Sequence, residues 1–230
     1  MVLSIGRAAV ELLFPSQCLG CGAGATFLCE RCAEQMMPAL PPRCPRCWEP
    51  RSFAGECLSC QLHPPAFDAL RTAFVHRGLA RELVQGLKYR GMTALGEPMG
   101  RLLAETARHH GFEPDVIVPV PLSGLRKRTR GYNQAGVLAR SLRRELGVPV
   151  EAKALERRRN TPPQARRADA EARWANVAGA FLAQRKFVQG RSVLLIDDVA
   201  TTGATLSACA GALREAGARP IWALTFARED

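Results

Sequence analysis

Eight cysteines near the amino-terminal end of the sequence form four pairs, each with two residues between its members. A C-x-x-C turn places two sulfurs on one tetrahedral Zn²⁺, and a second turn completes the shell. Consecutive pairs therefore predict two structural zinc sites, although the spacing also allows a cross-braced pairing. The predicted ligands are Cys18, Cys21, Cys29 and Cys32 for the first site, and Cys44, Cys47, Cys57 and Cys60 for the second.

Two other uses of these cysteines fit the sequence less well. A disulfide framework needs an oxidising compartment, but Arg7 and Glu11 interrupt the apolar residues of segment 1–16. That segment is more typical of a short amphipathic helix than of an export signal, so we expect a cytoplasmic protein with reduced thiols. A redox C-x-x-C usually occurs once, beside a βαβ unit.

The ninth cysteine, Cys209, follows the apolar spacing of a helix and is expected to lie in the core.

A second segment with chemical potential spans residues 193–205, where an apolar run is followed by Asp197, Asp198 and a threonine-rich loop containing Gly203. Two carboxylates suit a pair of hydroxyls or a hydrated Mg²⁺. Backbone N–H groups and hydroxyls at the start of a helix suit a phosphate. Because successive strand residues face opposite sides, we expect the acids where the strand ends and bends. A plain strand–loop–helix junction with Thr205 as N-cap explains only one threonine.

Basic residues are concentrated between positions 126 and 173, where fourteen Lys and Arg outnumber five acids. The cluster at 126–130 follows a predicted strand end, and the stretch 156–173 lacks apolar periodicity and is interpreted as a lid over a ligand. A solvated basic surface is the preferred interpretation for Arg143 and Arg144. The candidate pyrophosphate contacts are Arg126, Lys127, Arg128, Arg130, Arg157 and Arg159.

Strands and helices alternate after a predicted linker at 61–65, which indicates an α/β fold with a parallel sheet. We expect a zinc-ribbon domain over 1–65 and a larger domain over 66–230. The predicted strands are 69–76, 115–120, 153–155, 192–196 and 221–226, and the predicted helices are 79–88, 94–110, 134–146 and 205–216.

The overall composition narrows the classes of function. The chain has 230 residues, of which 47% are hydrophobic and 23% charged, so it is not a disordered protein. No apolar run is long enough for a membrane helix, and we expect no membrane insertion. The formal net charge of +11 favours phosphate-bearing partners.

Residues 193–205 resemble the phosphoribosyl pyrophosphate (PRPP) motif of type I phosphoribosyltransferases. The resemblance implies that Asp197 and Asp198 contact the ribose hydroxyls, that residues 200–205 wrap the 5′-phosphate, and that Mg²⁺ accompanies PRPP. Thr201 stands where the hypoxanthine/guanine branch has a proton-accepting acid, which argues against a 6-oxopurine acceptor. The implied PRPP-binding residues are Asp197, Asp198, Val199, Ala200, Thr201, Thr202, Gly203, Ala204 and Thr205.

Segments 115–134 (DVIVPVPLSGLRKRTRGYNQ) and 155–181, together with the cysteine pairs, resemble the ComF family of competence proteins. That family combines a double zinc ribbon with a phosphoribosyltransferase-like domain. The resemblance implies a role in DNA uptake, with PRPP, internalised single-stranded DNA and transformation-machinery proteins as partners. Lys88 and Tyr89 also match its pattern, without an assigned role.

Three functions remain open at this stage. The first is an enzyme that transfers a phosphoribosyl group. The second is a non-catalytic nucleic-acid-binding protein with a vestigial or sensory PRPP pocket, and the third is a protein–protein adaptor. Binding of single-stranded DNA usually adds aromatic side chains to a basic groove. Only 6% of the residues are aromatic, and the nearby candidates are Trp48, Tyr132 and Trp174.

Overall fold

The structure, a computed structural model, describes residues 16–158 and 179–229, without the side chains of residues 125–127. The predicted amino-terminal helix, Arg159, Trp174 and the side chains of Arg126 and Lys127 lie outside the described residues. The described helices are α1 (Glu30–Glu34), α2 (Leu58–Leu62), α3 (Gly78–Tyr89), α4 (Gly96–His109), α5 (Gly124–Arg130), α6 (Gln134–Leu146), α7 (Arg185–Val188) and α8 (Ala204–Glu215). The strands are β1 (Ala69–Val75), β2 (Val116–Pro119), β3 (Leu155–Arg157), β4 (Phe181–Ala183), β5 (Val193–Ala200) and β6 (Ile221–Arg228).

A four-stranded parallel sheet with the order β1-β6-β5-β2 forms the centre of the molecule. All of β2 and the first four residues of β5 are buried, as expected for strands covered on both faces. The small β3-β4 pair is antiparallel. The predicted α/β class and its parallel sheet are therefore confirmed.

Two layers of helices cover the sheet. Ile117, Leu194 and Leu224 pack with α3, α4 and α6 on one face. Their sequence neighbours Val118 and Leu195 pack on the other face with α7, α8 and the β3-β4 pair. Side chains that alternate in this way explain why all of β2 and the first four residues of β5 are apolar.

The cysteine-rich segment adds to the sheet at its β1 edge. The amide of Ala39 donates to the carbonyl of Ala73, and the amide of Val75 donates to the carbonyl of Met37, both at 3.0 Å. Leu70 donates in the same way to Arg46 at 2.8 Å. These bonds cover an edge that would otherwise be open to pairing with another chain.

Several predicted boundaries were wrong. The predicted strand 192–196 continues to Ala200, because β6 runs beside it as far as Arg228. The predicted strand 153–155 lies instead at Leu155–Arg157, and the predicted linker 61–65 begins inside α2. A short 3₁₀ turn, Thr93–Leu95, replaces the start of the predicted helix 94–110.

No helix within residues 16–158 and 179–229 combines the length and apolarity needed to cross a bilayer.

Candidate functional site

The first four cysteines bring their sulfurs together. All four Sγ atoms lie within 4.8 Å of one another, with 3.7 Å between Cys18 and Cys29 and 3.8 Å between Cys21 and Cys29. Sulfurs about 2.3 Å from a tetrahedral zinc are separated by roughly 3.8 Å, whereas a disulfide bond measures about 2.0 Å. The first set, which also includes Cys32, therefore has the geometry of a zinc site rather than of a disulfide.

The second set has the same geometry in a buried setting. Cys44, Cys47, Cys57 and Cys60 are all buried, and the sulfurs of Cys47 and Cys57 are 3.6 Å apart. The amide of Cys57 donates to the sulfur of Cys44, and the amide of Cys60 donates to the sulfur of Cys57, both at 3.4 Å. The predicted grouping of consecutive C-x-x-C pairs into one site each is thus confirmed, and the structure does not have the cross-braced grouping. Two all-cysteine sites fit two structural zinc ions.

Protonation differs among the thiols of the second site. A hydrogen bond from Cys60 lowers the pKa of Cys47 to about 6, and burial raises the pKa of Cys57 to about 12. The thiol of Cys47 is therefore largely ionised near neutral pH. The thiol of Cys57 keeps its proton until a bound metal displaces it.

Arginines from the sheet surround the second site. Arg228 at the end of β6 donates to the carbonyl of Cys47 at 2.9 Å. The guanidinium of Arg71 lies 4.3 Å from the ring centroid of Trp48 and donates to the carbonyl of Pro45 at 2.9 Å. Their positive charges offset the net negative charge of a zinc bound by four thiolates. Sequence reasoning missed both residues, because nothing in the local pattern indicates contacts over such sequence distances.

The acidic pair lies within β5 rather than beyond its end. The two side chains face opposite sides of the sheet, which corrects the expectation that the strand ends before them. Asp198 is only 6% exposed, and its Oδ1 atom is 2.8 Å from Nζ of Lys88 on α3. Asp197 is half-buried, and its Oδ1 atom accepts the amide of Asp198 at 2.8 Å. Burial and the nearby charge of Asp197 raise the pKa of the Cys209 thiol on α8.

A tight loop connects the acidic strand to α8. Gly203 is the N-cap of α8, with a φ of 76° in the left-handed region that favours glycine. The hydroxyl of Thr202 accepts the amide of Ala204 at 3.4 Å. Thr205 is therefore not the N-cap that the plain-junction interpretation assumed. Thr201, Thr202 and Thr205 are half-buried, whereas Ala200 and Ala204 are buried.

The described basic candidates lie in two places. Arg128 is exposed on α5, and the guanidinium of Arg130 lies 5.0 Å from the ring centroid of Tyr89. Since α5 follows parallel strand β2, it starts from the same edge of the sheet as the acidic strand and its loop. Arg157 in β3 lies over the ring of Phe181. Its positive charge lowers the pKa of Cys209 on α8, against the raising effect of burial.

Two of the predicted stacking residues serve packing instead. Trp48 is 6% exposed, and its indole N–H donates to the carbonyl of Ala39 at 2.9 Å. The hydroxyl of Tyr132 donates to the carbonyl of Leu87, and burial raises its pKa. Neither ring is available as an open platform for a nucleic-acid base.

The start of α6, next to the end of β2, carries two polar residues to which sequence reasoning assigned no role. Asn133 caps α6 by accepting the amide of Ala135 at 3.1 Å, and its side-chain amide donates to the carbonyl of Val120 at 2.9 Å. Gln134 is 1% exposed, and its amide oxygen and nitrogen have no hydrogen-bond partner among the described residues. The RGYNQ string thus fixes the start of α6 beside the edge that carries the acidic pair.

Comparison with known proteins agrees with this architecture. A family model described as a double zinc ribbon domain matches residues 9–61, and one described as a phosphoribosyl transferase domain matches residues 93–229. Competence protein F of Haemophilus influenzae is 31% identical over 87% of this chain and 90% of its own.

Two further relatives match most of the chain. DNA utilization protein YhgH of Escherichia coli K12 is 32% identical over 79% of this chain and 82% of its own length. Competence protein ComFC of Bacillus subtilis is 27% identical over 83% of this chain and 79% of its own. With two four-cysteine sites ahead of a parallel α/β domain, the chain belongs to the ComF family of competence proteins, which join a double zinc ribbon to a phosphoribosyltransferase domain.

Proposed function

We propose that this protein binds PRPP with Mg²⁺ at the carboxyl edge of its sheet and acts in DNA uptake. The observation that carries the proposal is the acidic pair of β5, followed directly by the Thr-rich loop at the start of α8. Ligands of parallel α/β folds bind at the carboxyl ends of the strands. The amides of the loop and its three threonine hydroxyls suit a 5′-phosphate, and carboxylates suit ribose hydroxyls and hydrated Mg²⁺.

In this proposal residues 200–205 hold the 5′-phosphate, and the end of β5 bends when PRPP binds, so that Asp197 and Asp198, which lie on opposite faces of the sheet in this structure, both reach the ribose hydroxyls. Lys88 already neutralises Asp198 at 2.8 Å. A sugar hydroxyl that binds Asp198 therefore shares this carboxylate with Lys88 or displaces the ammonium group from it. In the second case, binding of PRPP is linked to movement of Lys88.

Phosphoribosyl transfer is the reaction that such a site supports. A nucleophile on the acceptor forms a bond to C1 of the ribose, the bond from C1 to the pyrophosphate oxygen breaks, and pyrophosphate leaves with the bonding electrons. The acceptor's proton passes to solvent or to a base. Mg²⁺ supplies positive charge to the leaving group, and the basic residues of α5 are the proposed protein contacts to it.

The role in DNA uptake is supported by the relatives, which are named as competence and DNA utilization proteins. The net charge of +11 favours a polyanionic partner. We propose single-stranded DNA in the cytoplasm as that partner, with transformation-machinery proteins as further partners.

A second candidate function is a PRPP-sensing or adaptor protein without turnover. The ion pair between Lys88 and Asp198 favours it, because the paired carboxylate is satisfied without a ligand. Measuring turnover separately from binding distinguishes the two candidates.

Titration calorimetry with PRPP and Mg²⁺ tests the proposal. We expect binding by the unaltered protein and a loss of roughly tenfold or more in affinity for Asp197→Asn combined with Asp198→Asn. Glu215→Gln, an exposed acid at the end of α8, is the matched control and should bind normally. Absence of binding, or equal binding by all three proteins, contradicts the proposed PRPP site. Pyrophosphate release with a panel of acceptors then decides between enzyme and sensor.

A further inference from the structure

A basic cleft, lined in part by the Lys88 that pairs with Asp198, lies on the side of the sheet that α3 covers. Its volume is about 710 Å³, and it opens where β1 and β6 end. The lining residues that matter here are His76, Arg77, Arg81, Lys88, Tyr89 and Glu229.

Two arginines on one side of this cleft have no acidic partner among the described residues. Arg77 precedes α3, Arg81 lies four positions later, and both are exposed. Arg77 is the extended N-cap residue of α3 and Arg81 lies in its first turns, and both line the same cleft. Two unpaired guanidinium groups in this arrangement suit the oxygens of one phosphate.

Glu229, the acidic residue of the cleft, already has a partner. Glu229 approaches Nδ1 of His76 at 3.6 Å. Burial lowers the pKa of His76, and Lys88 and Arg81 act in the same direction, while Glu229 and Asp198 oppose them. Lys88 is itself paired with Asp198, so the positive charges that face a ligand in this cleft are mainly those of Arg77 and Arg81.

An exposed aromatic ring borders the cleft. Tyr89 is 72% exposed, and the guanidinium of Arg130 lies 5.0 Å from its ring centroid. A large exposed ring beside a basic groove is the usual platform on which a nucleic-acid base stacks. Lys88, the neighbour of this tyrosine, connects the cleft to Asp198.

We propose that this cleft binds one nucleotide unit, with its phosphate on Arg77 and Arg81 and its base against Tyr89. This proposal deepens the proposed function and rests on it, because it makes the nucleotide the second ligand beside PRPP. The same chemistry is offered by a free mononucleotide and by one unit of a single strand of DNA.

The test measures binding of thymidine 5′-monophosphate, and of a labelled single strand of about ten nucleotides, to the full chain. We expect Arg77→Ala combined with Arg81→Ala to weaken both by roughly tenfold or more. The matched control, Arg140→Ala combined with Arg143→Ala, removes the same charge from exposed positions on α6 and should change binding little. Tyr89→Leu should weaken binding while Tyr89→Phe keeps it, because only phenylalanine retains a ring.

The outcomes separate the sources and the two proposals. Tighter binding of the strand than of the mononucleotide, with an affinity that falls steeply with salt, identifies DNA as the source; similar affinities identify the free nucleotide. No binding of either probe to the unaltered protein, or equal weakening by the cleft and control variants, overturns the cleft. PRPP affinity of the cleft variant is measured alongside. Nucleotide binding through the arginines without any PRPP binding would sink the proposed function but leave the cleft as a nucleotide site.

Discussion

Arg228, the last residue of β6, donates a hydrogen bond from its guanidinium to the carbonyl of Cys47 at 2.9 Å. Arg228 also pairs with Ala200 in the sheet, and the next amide, that of Glu229, donates to the carbonyl of Ala200 at 3.0 Å. A turn of the second zinc site is thus connected through one side chain to the first residue of the candidate phosphate loop.

Replacing Arg228 by methionine should destabilise both the folded protein and its second zinc site. The side chain is 3% exposed, and loss of a buried, charge-assisted hydrogen bond costs about 1.5–3 kcal/mol. We expect the free energy of unfolding to fall by about that amount and zinc to leave the second site faster. Denaturant unfolding and a chromogenic zinc-release assay measure these effects. Arg219→Met, at an exposed position, is the control, and equal behaviour of the two variants would contradict the connection.

Metal content should follow the two cysteine sets. Elemental analysis should find two zinc ions per chain, and one after either Cys32→Ser or Cys60→Ser, because each removes a ligand from a different set. Cys209→Ala should keep both ions, since Cys209 belongs to neither set. Loading near neutral pH should release protons, because the pKa of Cys57 is about 12 before metal binds. A metal-free protein with disulfide bonds would contradict the zinc sites.

Two helix glycines should respond to alanine with opposite signs. A Cβ atom on Gly100 of α4 would lie 2.4 Å from Cβ of Ser141 and 3.2 Å from the backbone nitrogen of Leu142 on α6. We expect Gly100→Ala to destabilise by about 1–3 kcal/mol through overpacking. On Gly136 the nearest atom would be 3.5 Å away, so Gly136→Ala should stabilise by up to about 1 kcal/mol. Thermal and denaturant unfolding measure both changes, and equal effects would refute the close helix approach.

The stability of the protein should depend on the protonation of His110. Burial, with the charges of Arg71 and His109, lowers the pKa of His110 from 6.5 to about 4. Between these two values the unfolded chain binds a proton that the folded chain does not bind. The contribution of neutral His110 is therefore complete above pH 6.5 and is lost as the pH falls towards 4.

Urea unfolding at several pH values, compared with His110→Gln, isolates this contribution. The unaltered protein should lose more of its free energy of unfolding than the variant as the pH falls through that window. Identical pH dependence of the two proteins would show that His110 does not titrate as described.

Local patterns in the sequence were enough for the eight cysteine ligands and the α/β class, whereas the grouping of the cysteines into two sets needed the structure. The C-x-x-C spacing indicates ligand pairs directly, and VLLI with flanking helices is typical of a strand buried on both faces. The sequence also placed Cys209 correctly, because its helical spacing with Leu206 and Leu213 put it in the core.

Contacts between distant segments were not predictable in the same way. The extension of β5 to Ala200 depends on the neighbouring β6, and the pairing of Asp198 depends on Lys88, which lies on α3. Helix α5 was missed, since its run of basic residues has no apolar periodicity. Trp48 was a candidate stacking residue, because the sequence does not indicate that Arg71 lies over its ring or that its indole N–H is bonded to the carbonyl of Ala39.

Hydrogen–deuterium exchange with and without PRPP and Mg²⁺ measures most directly where this ligand binds. We predict slower exchange of the amides of residues 199–206 when PRPP and Mg²⁺ are present, and a smaller effect with Mg²⁺ and pyrophosphate alone, because the loop is proposed to hold the 5′-phosphate. Unchanged exchange in this loop at saturating PRPP, or protection confined to other segments, would show that PRPP does not bind there.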